Sequence, residues 1–316
     1  MIEVRDIGKK KKYYLTHSFR EGKKVKKIRR YLGMDLSKKQ IEKLKVRAEE
    51  IIKEQIESYK LIRDPLKYEL TEKEVKLIKE LEKERIEIKF SKEKWELFTE
   101  LFTYNTNAIE GSELNEKEVK EVLEKDKWPY DIRKEDISET YGVAEAIKFI
   151  RKSKEHISVS LIKKLHLIVF KNSKDFAGKF RKKGEEVVIR DGRGNVVHMG
   201  APANRVKGLL EELIEWYKKY KNKYPPILLA GIIHNQFENI HPFVDGNGRV
   251  GRLLLNNILL KNKLPPVNIS MRNRMEYYKS LQEYQKKGDI KLTVELILKE
   301  YKNLKKELGD HKNKKM

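Results

Sequence analysis

Residues 241–252 concentrate side chains that could carry out proton and phosphate chemistry. The segment reads His-Pro-Phe-Val-Asp-Gly-Asn-Gly-Arg-Val-Gly-Arg. A histidine such as His241 can take a proton from an attacking hydroxyl near neutral pH. Asp245 supplies a hard oxygen ligand of the type that Mg²⁺ accepts alongside substrate phosphates. The segment therefore predicts that a hydroxyl group is activated next to a bound polyphosphate.

The glycines and arginines of the same segment predict an anion site. Gly246 and Gly248 allow backbone N–H groups to turn toward one point, and a helix N terminus adds partial positive charge there. Arg249 and Arg252 lie three positions apart, so they are expected to project from the first helical turn to the same side. Two guanidinium groups beside convergent amides suit a polyphosphate.

Two apolar helices are predicted to hold this loop in place. The pattern over residues 226–240 is apolar around much of the helix circumference and predicts a largely buried helix. That helix is expected to end at His241, because the residue before Pro242 is pushed out of helical geometry. A second apolar helix is predicted over residues 247–262. The loop should then lie at the N terminus of the second helix.

At these residues the chain resembles the Fic (Fic/Doc, or Fido) family. The family signature is His-Pro-Phe-x-Asp/Glu-Gly-Asn-Gly/Lys-Arg-x-x-Arg, and residues 241–252 match it at every fixed position. In the family, the histidine activates a Ser, Thr or Tyr hydroxyl of a target protein, which attacks the α-phosphate of ATP. AMP is transferred and pyrophosphate leaves. The resemblance therefore implies protein adenylylation with ATP and Mg²⁺.

The resemblance also implies a role for each residue of the segment. His241 is the expected general base, and Asp245 is the expected Mg²⁺ ligand. The expected anion hole and phosphate clamps are Gly246, Asn247, Gly248, Arg249 and Arg252. Family members with lysine at the position of Gly248 can bind the nucleotide reversed and transfer phosphate. Glycine at that position favours nucleotidyl transfer.

Residues 185–198 resemble the flap hairpin of the family, which aligns an extended stretch of target protein beside the catalytic histidine by strand addition. Two short apolar stretches flank Asp191-Gly-Arg-Gly194 in this segment. The expected pairing edge is Val187, Val188, Ile189 and Arg190. An ordinary surface hairpin would have the same pattern.

Further positions resemble nucleotide-binding residues of the family. Tyr277 and Tyr278 resemble its adenine-side tyrosines, although a buried aromatic pair would read the same way. Gln285 stands where relatives place an asparagine near the nucleotide, so its role is open. Asn256 and Asn257 are also candidates, and we expect one of them to face the nucleotide and the other to be exposed.

A second motif, Thr106-Asn-Ala-Ile-Glu-Gly111, resembles the family's inhibitory motif Ser/Thr-x-x-x-Glu-Gly/Asn. Taken alone it reads as a helix end with Gly111 at the C′ position. A glutamate in the last turn is disfavoured by the helix dipole, so Glu110 needs a compensating partner. If Glu110 pairs with Arg252, that arginine is unavailable to the γ-phosphate and the carboxylate repels the triphosphate. Low basal activity is the expected result.

Three functions stay in competition on the sequence alone. The first is adenylyl transfer to protein hydroxyls. The second is another reaction on the same scaffold, such as transfer of a different nucleotide or of phosphate, or removal of AMP from a modified target. The third is a nucleic-acid-associated regulator that acts through the basic N terminus.

The remaining chain predicts a mainly α fold, a Fic-type helical bundle with a β-hairpin flap. We expect a basic β-hairpin over residues 1–36 and a charged helical connector over 37–92. The Fic catalytic domain is expected over 93–305, with the inhibitory helix at 93–111, followed by a disordered basic tail at 306–316. Besides the two helices around the loop, helical segments are expected near residues 92–108, 115–125, 136–152, 160–171, 203–221, 273–287 and 290–307, with Ser91, Asn115 and Ser160 as caps. The basic hairpin interleaves lysines and arginines with aromatic residues. It is expected either to contact nucleic acid or to dock on protein.

Composition places limits on the class of protein. The 316 residues carry a net charge of +23 and contain no cysteine, which excludes disulfides and thiolate metal sites. Because lysines are interleaved with glutamates along the chain, the charge is also what a solvated, thermally adapted surface would give. No stretch approaches the length of a membrane span. We expect a cytoplasmic protein without membrane contact. The sequence neither predicts nor excludes a homodimer.

Overall fold

The computed structural model describes residues 1–21, 24–63, 65, 71–85, 88–182, 184–185, 187–190 and 196–313. The chain forms two compact units. The first comprises Met1–Leu61 and Val188–Met199, and the second comprises Ile62–Val187 and Gly200–Met316. The mainly helical architecture expected from the sequence is confirmed.

The first unit contains an antiparallel sheet of strands β1 (Ile2–Ile7), β2 (Lys10–Glu21) and β3 (Lys24–Met34), in that order. The predicted hairpin corresponds to β2 and β3. Strand β1 was not predicted, because its alternation is short and interrupted by charge. Helix α1 (Lys38–Arg63) packs on one sheet face, where Leu15 meets Ala48, Ile52 and Ile56. The same unit holds the separate hairpin of β4 (Val188–Arg190) and β5 (Val196–Met199).

The second unit is helical. Its helices are α2 (Glu72–Arg85), α3 (Lys92–Ile109), α4 (Glu116–Lys125), α5 (Lys134–Lys152), α6 (Val159–Phe170), α7 (Val206–Tyr220), α8 (Pro226–Ile240), α9 (Asn247–Lys261), α10 (Arg274–Lys287) and α11 (Lys291–Asn313). From α3 onward the predicted segments are confirmed to within a few residues at most ends. Local capping explains the starts of three of these helices.

Polar caps begin α3, α4 and α6. The Lys94 N–H donates to the Ser91 hydroxyl at 3.3 Å. Asn115 forms a reciprocal capping box with Glu118, at 3.0 and 2.8 Å. Helix α6 is capped by Ser158, which accepts from Leu161 N–H at 3.0 Å, rather than by Ser160 as expected. Ser160 lies inside the first turn, where its hydroxyl bonds to that of Ser158.

Helices α8 and α9 form the centre of the core, as their apolar patterns predicted. Every residue of α8 from Ile227 to Ile240 is buried. Each large apolar side chain placed there contributes about 1.5–3 kcal/mol through burial. The loop between the two helices is therefore fixed at both ends by closely packed structure.

The C terminus differs from the expected disordered tail over residues 306–316. Helix α11 continues to Asn313, because Leu304 and Leu308 lie four residues apart and are both buried. Their burial continues the apolar face of α11 into the segment whose polar composition suggested disorder. Among the described residues, no helix is long and apolar enough to cross a membrane.

Candidate active site

His241 is the C-cap of α8, and its backbone turns out of the helix. It adopts left-handed dihedral angles, φ 52° and ψ 64°, immediately before Pro242. The imidazole Nδ1 lies 3.3 Å from the Glu238 carbonyl oxygen. That bond requires a proton on Nδ1, which leaves the lone pair on Nε2. The geometry gives His241 the tautomer of a general base.

Arg181 braces the backbone that carries His241, and the sequence reading missed it. Its buried guanidinium donates to the carbonyl oxygens of His241 at 2.6 Å, Ala201 at 2.7 Å, Glu185 at 2.9 Å and Ile240 at 3.3 Å. Arg181 lies in a segment without helical or strand periodicity. Nothing in that pattern indicates that its side chain reaches the loop after α8.

Asn247 holds the catalytic loop closed through its side chain. Its Oδ1 accepts from Phe243 N–H, and its Nδ2 donates to Phe243 C=O, both at 2.9 Å. Gly246 precedes it with φ 79°, and a Cβ there would overlap the Phe170 ring. The Asn247 side chain therefore bonds the loop, and the part of this residue in the predicted anion hole would fall to its backbone, in the first turn of α9.

His166 also supports the loop and was missed by the sequence reading. Its Nδ1 accepts from Gly178 N–H at 2.8 Å, so Nε2 carries the proton donated to the Asp245 carbonyl at 3.1 Å. The ring stacks on Phe243 with centroids 3.8 Å apart. Burial lowers the pKa of His166 to about 4, which keeps the ring neutral.

The Asp245 carboxylate lies at the exposed side of the loop. One oxygen accepts from Gly246 N–H at 2.6 Å, and the other lies 3.3 Å from the Lys174 ammonium. Burial acts to raise the pKa of Asp245, but Arg249 and Lys174 outweigh it and lower the pKa below its usual value. The Asp245 carboxylate is therefore ionised, and it already forms an ion pair with the Lys174 ammonium.

Arg249 and Arg252 engage different partners. Arg249 is buried, pairs with Glu139, and lies with its guanidinium carbon 4.5 Å from the centroid of the Phe170 ring. The sequence reading missed Glu139, because it is a single acidic residue in a helix rich in charge. Lys174 lies 3.7 Å from the same carboxylate. The cations Arg249 and Lys174 thus share the acidic side chains Glu139 and Asp245.

Arg252 is held by the end of α3, which carries Thr106 and Glu110. Its Nη2 donates to Glu110 Oε1 at 2.7 Å and to the Thr106 carbonyl at 3.0 Å, while Nε donates to Thr106 Oγ1 at 2.7 Å. Gly111 follows with φ 91°, as a C′ glycine requires. The contact between Glu110 and Arg252 expected from the sequence is present. It joins two residues 142 positions apart.

The Glu110 carboxylate also lies against the N terminus of α9. A Cβ atom built on Gly248 would overlap Glu110 Oε1 and lie 3.0 Å from Arg252 Nη1. The first N–H groups of a helix lack intrahelical partners and attract anions. The Glu110 carboxyl group therefore lies beside the predicted anion site.

A buried polar cluster lies behind Arg252. Tyr277 accepts from Arg252 Nη1 at 3.1 Å, and its hydroxyl lies 3.1 Å from His234 Nε2. Burial, with a further contribution from Arg252, lowers the pKa of His234 to about 3. Burial raises the pKa of Glu238 to about 8, with a further contribution from Glu110. Tyr277 is thus buried in the arginine network rather than presented as an open adenine platform.

Tyr278 is on the accessible side of α10, and its hydroxyl donates to the Ile109 carbonyl at 3.1 Å. Gln285 lies two turns later on the same helix and is half-buried. The expectation for Asn256 and Asn257 is wrong, since both are buried. Asn256 bonds the Val267 backbone at 2.9 and 2.7 Å, and Asn257 donates to the Glu155 carbonyl at 3.2 Å. Both amides fasten chain segments to α9.

The backbone of the predicted flap forms a hairpin of β4 and β5. Ile189 pairs with His198, and Val188 pairs with Met199. Val187 accepts from Gly200 N–H at 3.1 Å where the hairpin begins and ends. A Cβ on Gly200 would lie 3.0 Å from His241 Cβ. The predicted tip, residues 191–195, lies outside the described residues.

Comparisons with known proteins agree with this geometry. The Fic/DOC family model matches residues 156–259. Protein adenylyltransferase fic-1 of Caenorhabditis elegans is 32% identical over 206 residues, 63% of this chain and 39% of that protein. Protein adenylyltransferase Fic of Drosophila ananassae is 29% identical over 203 residues, 61% and 38% of the two chains. The chain therefore spans about two fifths of the length of these relatives.

Solved structures show the same fold. The structure of C. elegans Fic-1 (residues 134–508) matches with a TM-score of 0.62 and 27% identity, covering 74% of this chain and 70% of that one. A Fic-domain signalling protein from Bacteroides thetaiotaomicron matches with a TM-score of 0.60 and 22% identity, covering 74% and 92%.

Proposed function

The chain belongs to the Fic/DOC family, and on that premise we propose that it is a protein adenylyltransferase, transferring AMP from ATP to Ser, Thr or Tyr hydroxyls of a target protein. One observation carries the proposal. A single loop joins a base in the required tautomer, His241, to a helix N terminus where Arg252 already holds a carboxylate. We propose that the catalytic domain spans residues 93–305.

The proposed reaction is an in-line displacement at the α-phosphate. His241 Nε2 takes the proton of the target hydroxyl as its oxygen bonds to the α-phosphorus. The bond from that phosphorus to the bridging oxygen breaks, and pyrophosphate leaves with the electron pair. The backbone amides at the start of α9 and the guanidinium of Arg252 would hold the phosphates in position. Arg181 keeps the His241 backbone in place.

The Asp245 side chain fits a bound Mg²⁺. Its carboxylate is ionised and partly exposed, and the Lys174 ammonium already stands at one oxygen in the position of a cation. Among the described residues, no cluster of three or more acidic or histidine ligands is found. Mg²⁺ is commonly held by one or two carboxylates together with substrate phosphates. When bound, Mg²⁺ would neutralise charge on the phosphates.

We propose that Glu110 inhibits the enzyme by occupying the γ-phosphate position. Its carboxylate takes the Arg252 donor that a phosphate oxygen would need, and it repels a triphosphate at the same helix terminus. ATP that binds around it would have its α-phosphate displaced from the line of attack. Misplacement by about 1 Å can reduce the rate roughly a hundredfold.

The β4–β5 hairpin is proposed to receive the target. Strand addition would use the backbone of Val188, Ile189 and Arg190, which reads extended shape more than side-chain identity. Both ends of the hairpin, Val187 and Gly200, are bonded to each other, and Gly200 adjoins His241.

The test compares α-labelled with γ-labelled ATP, using the wild type, Glu110→Gly and His241→Ala. We expect Glu110→Gly to incorporate label from the α position, into itself or into lysate proteins, at least tenfold faster than wild type. Glu113→Gly is the matched control, because Glu113 is an exposed carboxylate three residues away, and it should leave the rate unchanged. Retention of γ label alone would exclude adenylylation. An unchanged rate in Glu110→Gly would exclude the inhibitory role.

A further inference from the structure

The N-terminal sheet has one face that does not pack on α1. The apolar side chains Leu15, Phe19 and Ile28 point toward α1. Side chains alternate along a strand, so their neighbours point to the opposite face. By pairing register, that face carries Arg5, Lys12, Tyr14, Arg20, Lys27, Arg29 and Tyr31, together with Glu3. We refer to these residues as the basic sheet face.

Charge on the basic sheet face is strongly unbalanced. Glu3 accepts hydrogen bonds from Arg5 at 2.9 Å, Lys27 at 3.1 Å and Arg29 at 2.9 Å. One carboxylate thus serves three cations. Partial desolvation acts to raise the pKa of Glu3, but these three bonds lower it to about 2. Lys12 and Arg20 add further positive charge on the same face, without a second acidic side chain among its described residues.

Two tyrosines lie in the middle of this positive charge. Tyr14 and Tyr31 are cross-strand partners with ring centroids 5.4 Å apart, and Tyr31 is half exposed. The Arg5 guanidinium carbon lies 5.3 Å from the centroid of the Tyr14 ring. Exposed aromatic rings flanked by guanidinium groups form a stacking surface for unpaired bases. A solvated surface adapted to heat would need the charges but not the paired rings.

We propose that the basic sheet face binds single-stranded RNA. The cations would follow the phosphate backbone, while Tyr14 and Tyr31 would stack on successive unpaired bases. A duplex hides its bases and would use only the cations. An acidic protein segment would use the cations and leave the rings without partners. RNA is the class of nucleic acid that is usually single-stranded in cells.

The dimensions suit a short strand of RNA. Lys12 and Arg20 lie eight residues apart on β2, and a strand rises about 3.3 Å per residue. The face is therefore about 26 Å long, enough for about four nucleotides, at the low end of site sizes for single-strand binders. If the phosphates of these about four nucleotides each meet one cation of the face, the logarithm of affinity should fall with the logarithm of salt concentration with a slope of about −3.

The test measures binding of a fluorescein-labelled ten-nucleotide oligouridine to the full chain by anisotropy, over a range of salt. Tyr14→Leu with Tyr31→Leu should weaken binding at least tenfold, since it removes stacking and keeps the charge. Tyr14→Phe with Tyr31→Phe should restore it. Arg29→Gln should lower the salt slope by about 0.7. Glu3→Gln should tighten binding, because it removes the carboxylate that competes with phosphate.

The matched control is Lys92→Gln, which also removes one positive charge, at a highly exposed lysine of the second unit. Circular dichroism checks that each variant folds. Equal loss of affinity in this control and in Arg29→Gln would show that binding depends only on net charge, and it would overturn the proposal. So would equal affinity for a duplex of the same length, no effect of the leucine pair, or tighter binding of oligoglutamate than of RNA. Equal binding of single-stranded DNA would overturn the choice of RNA.

Discussion

Substitution of Gly248 by alanine should release the inhibitory glutamate without altering Glu110 itself. The Gly248 backbone is helical, without a positive φ angle, so alanine is tolerated conformationally. The added Cβ atom, however, would lie less than 3.0 Å from Glu110 Oε1, which is closer than van der Waals contact allows. The carboxylate must move away, which breaks its 2.7 Å hydrogen bond to Arg252 Nη2.

The magnitude follows from the bond that is lost. A hydrogen bond between charged groups contributes about 1.5–3 kcal/mol. Arg252 keeps Thr106 and Tyr277 as partners, so the lower part of that range applies, about 2 kcal/mol. That is a shift of about thirtyfold in the equilibrium between inhibited and open states. Basal AMP incorporation should rise by roughly tenfold to thirtyfold, less than in Glu110→Gly, because the displaced carboxylate stays nearby.

The assay is a double-mutant cycle on initial rates of α-label incorporation in wild type, Gly248→Ala, Glu110→Gly and the double variant. Any direct effect of the methyl group on ATP appears when alanine is added to the Glu110→Gly background. Activation should occur only when Glu110 is present. If alanine changes the rate by the same factor in both backgrounds, Gly248 does not act through Glu110 and the steric argument is refuted.

Three further predictions concern residues around the site. Because the pKa of Glu238 is about 8 in the folded state, folding takes up a proton between pH 4.5 and 8, and the free energy of unfolding falls as pH rises through this window. Glu238→Gln should remove up to about 5 kcal/mol of that loss. Urea unfolding of the variant and of wild type at several pH values measures the difference. Arg181→Met should lower kcat at least tenfold with little change in KM for ATP, since it displaces the His241 backbone; a rise in KM alone would contradict this. Glu139→Gln leaves buried Arg249 without its main counterion and should cost about 3 kcal/mol of stability, and ATP should raise the Tm of this variant more than that of wild type.

Much of the fold could be read from the sequence, because helical periodicity and capping are local properties. The apolar patterns of α8 and α9 and the cap residues Ser91 and Asn115 gave correct boundaries. The reading failed where a local pattern had a distant cause. Polar composition suggested a disordered C terminus, but Leu308 is buried and keeps α11 helical. The pattern of β1 is too short to stand out without its partner strand.

The candidate site divides in the same way. One segment of twelve residues carries His241, Asp245 and Arg252, so their residue types and spacing indicate the chemistry by themselves. The motif from Thr106 to Gly111 can also be recognised in the sequence, because about one turn of helix carries it. Roles that join distant segments could be expected only through the family resemblance, as for Glu110, or not at all, as for Arg181, Glu139, Lys174 and His166. Each of these four is a single polar residue without periodicity.

The sequence by itself indicated that one short segment carries a histidine, a carboxylate and a glycine-rich helix start, with a glutamate elsewhere in the chain that could pair with Arg252. Only the tertiary structure decided where that glutamate lies. The packing of α3 against α9 places the Glu110 carboxylate over Gly248 and on Arg252. Other contacts along α9, with the backbone of Val267 and Glu155, hold Asn256 and Asn257 in buried positions that the sequence left open to solvent or nucleotide. The reason is physical: residue type and spacing fix what a side chain can do, while packing between distant elements fixes what it meets.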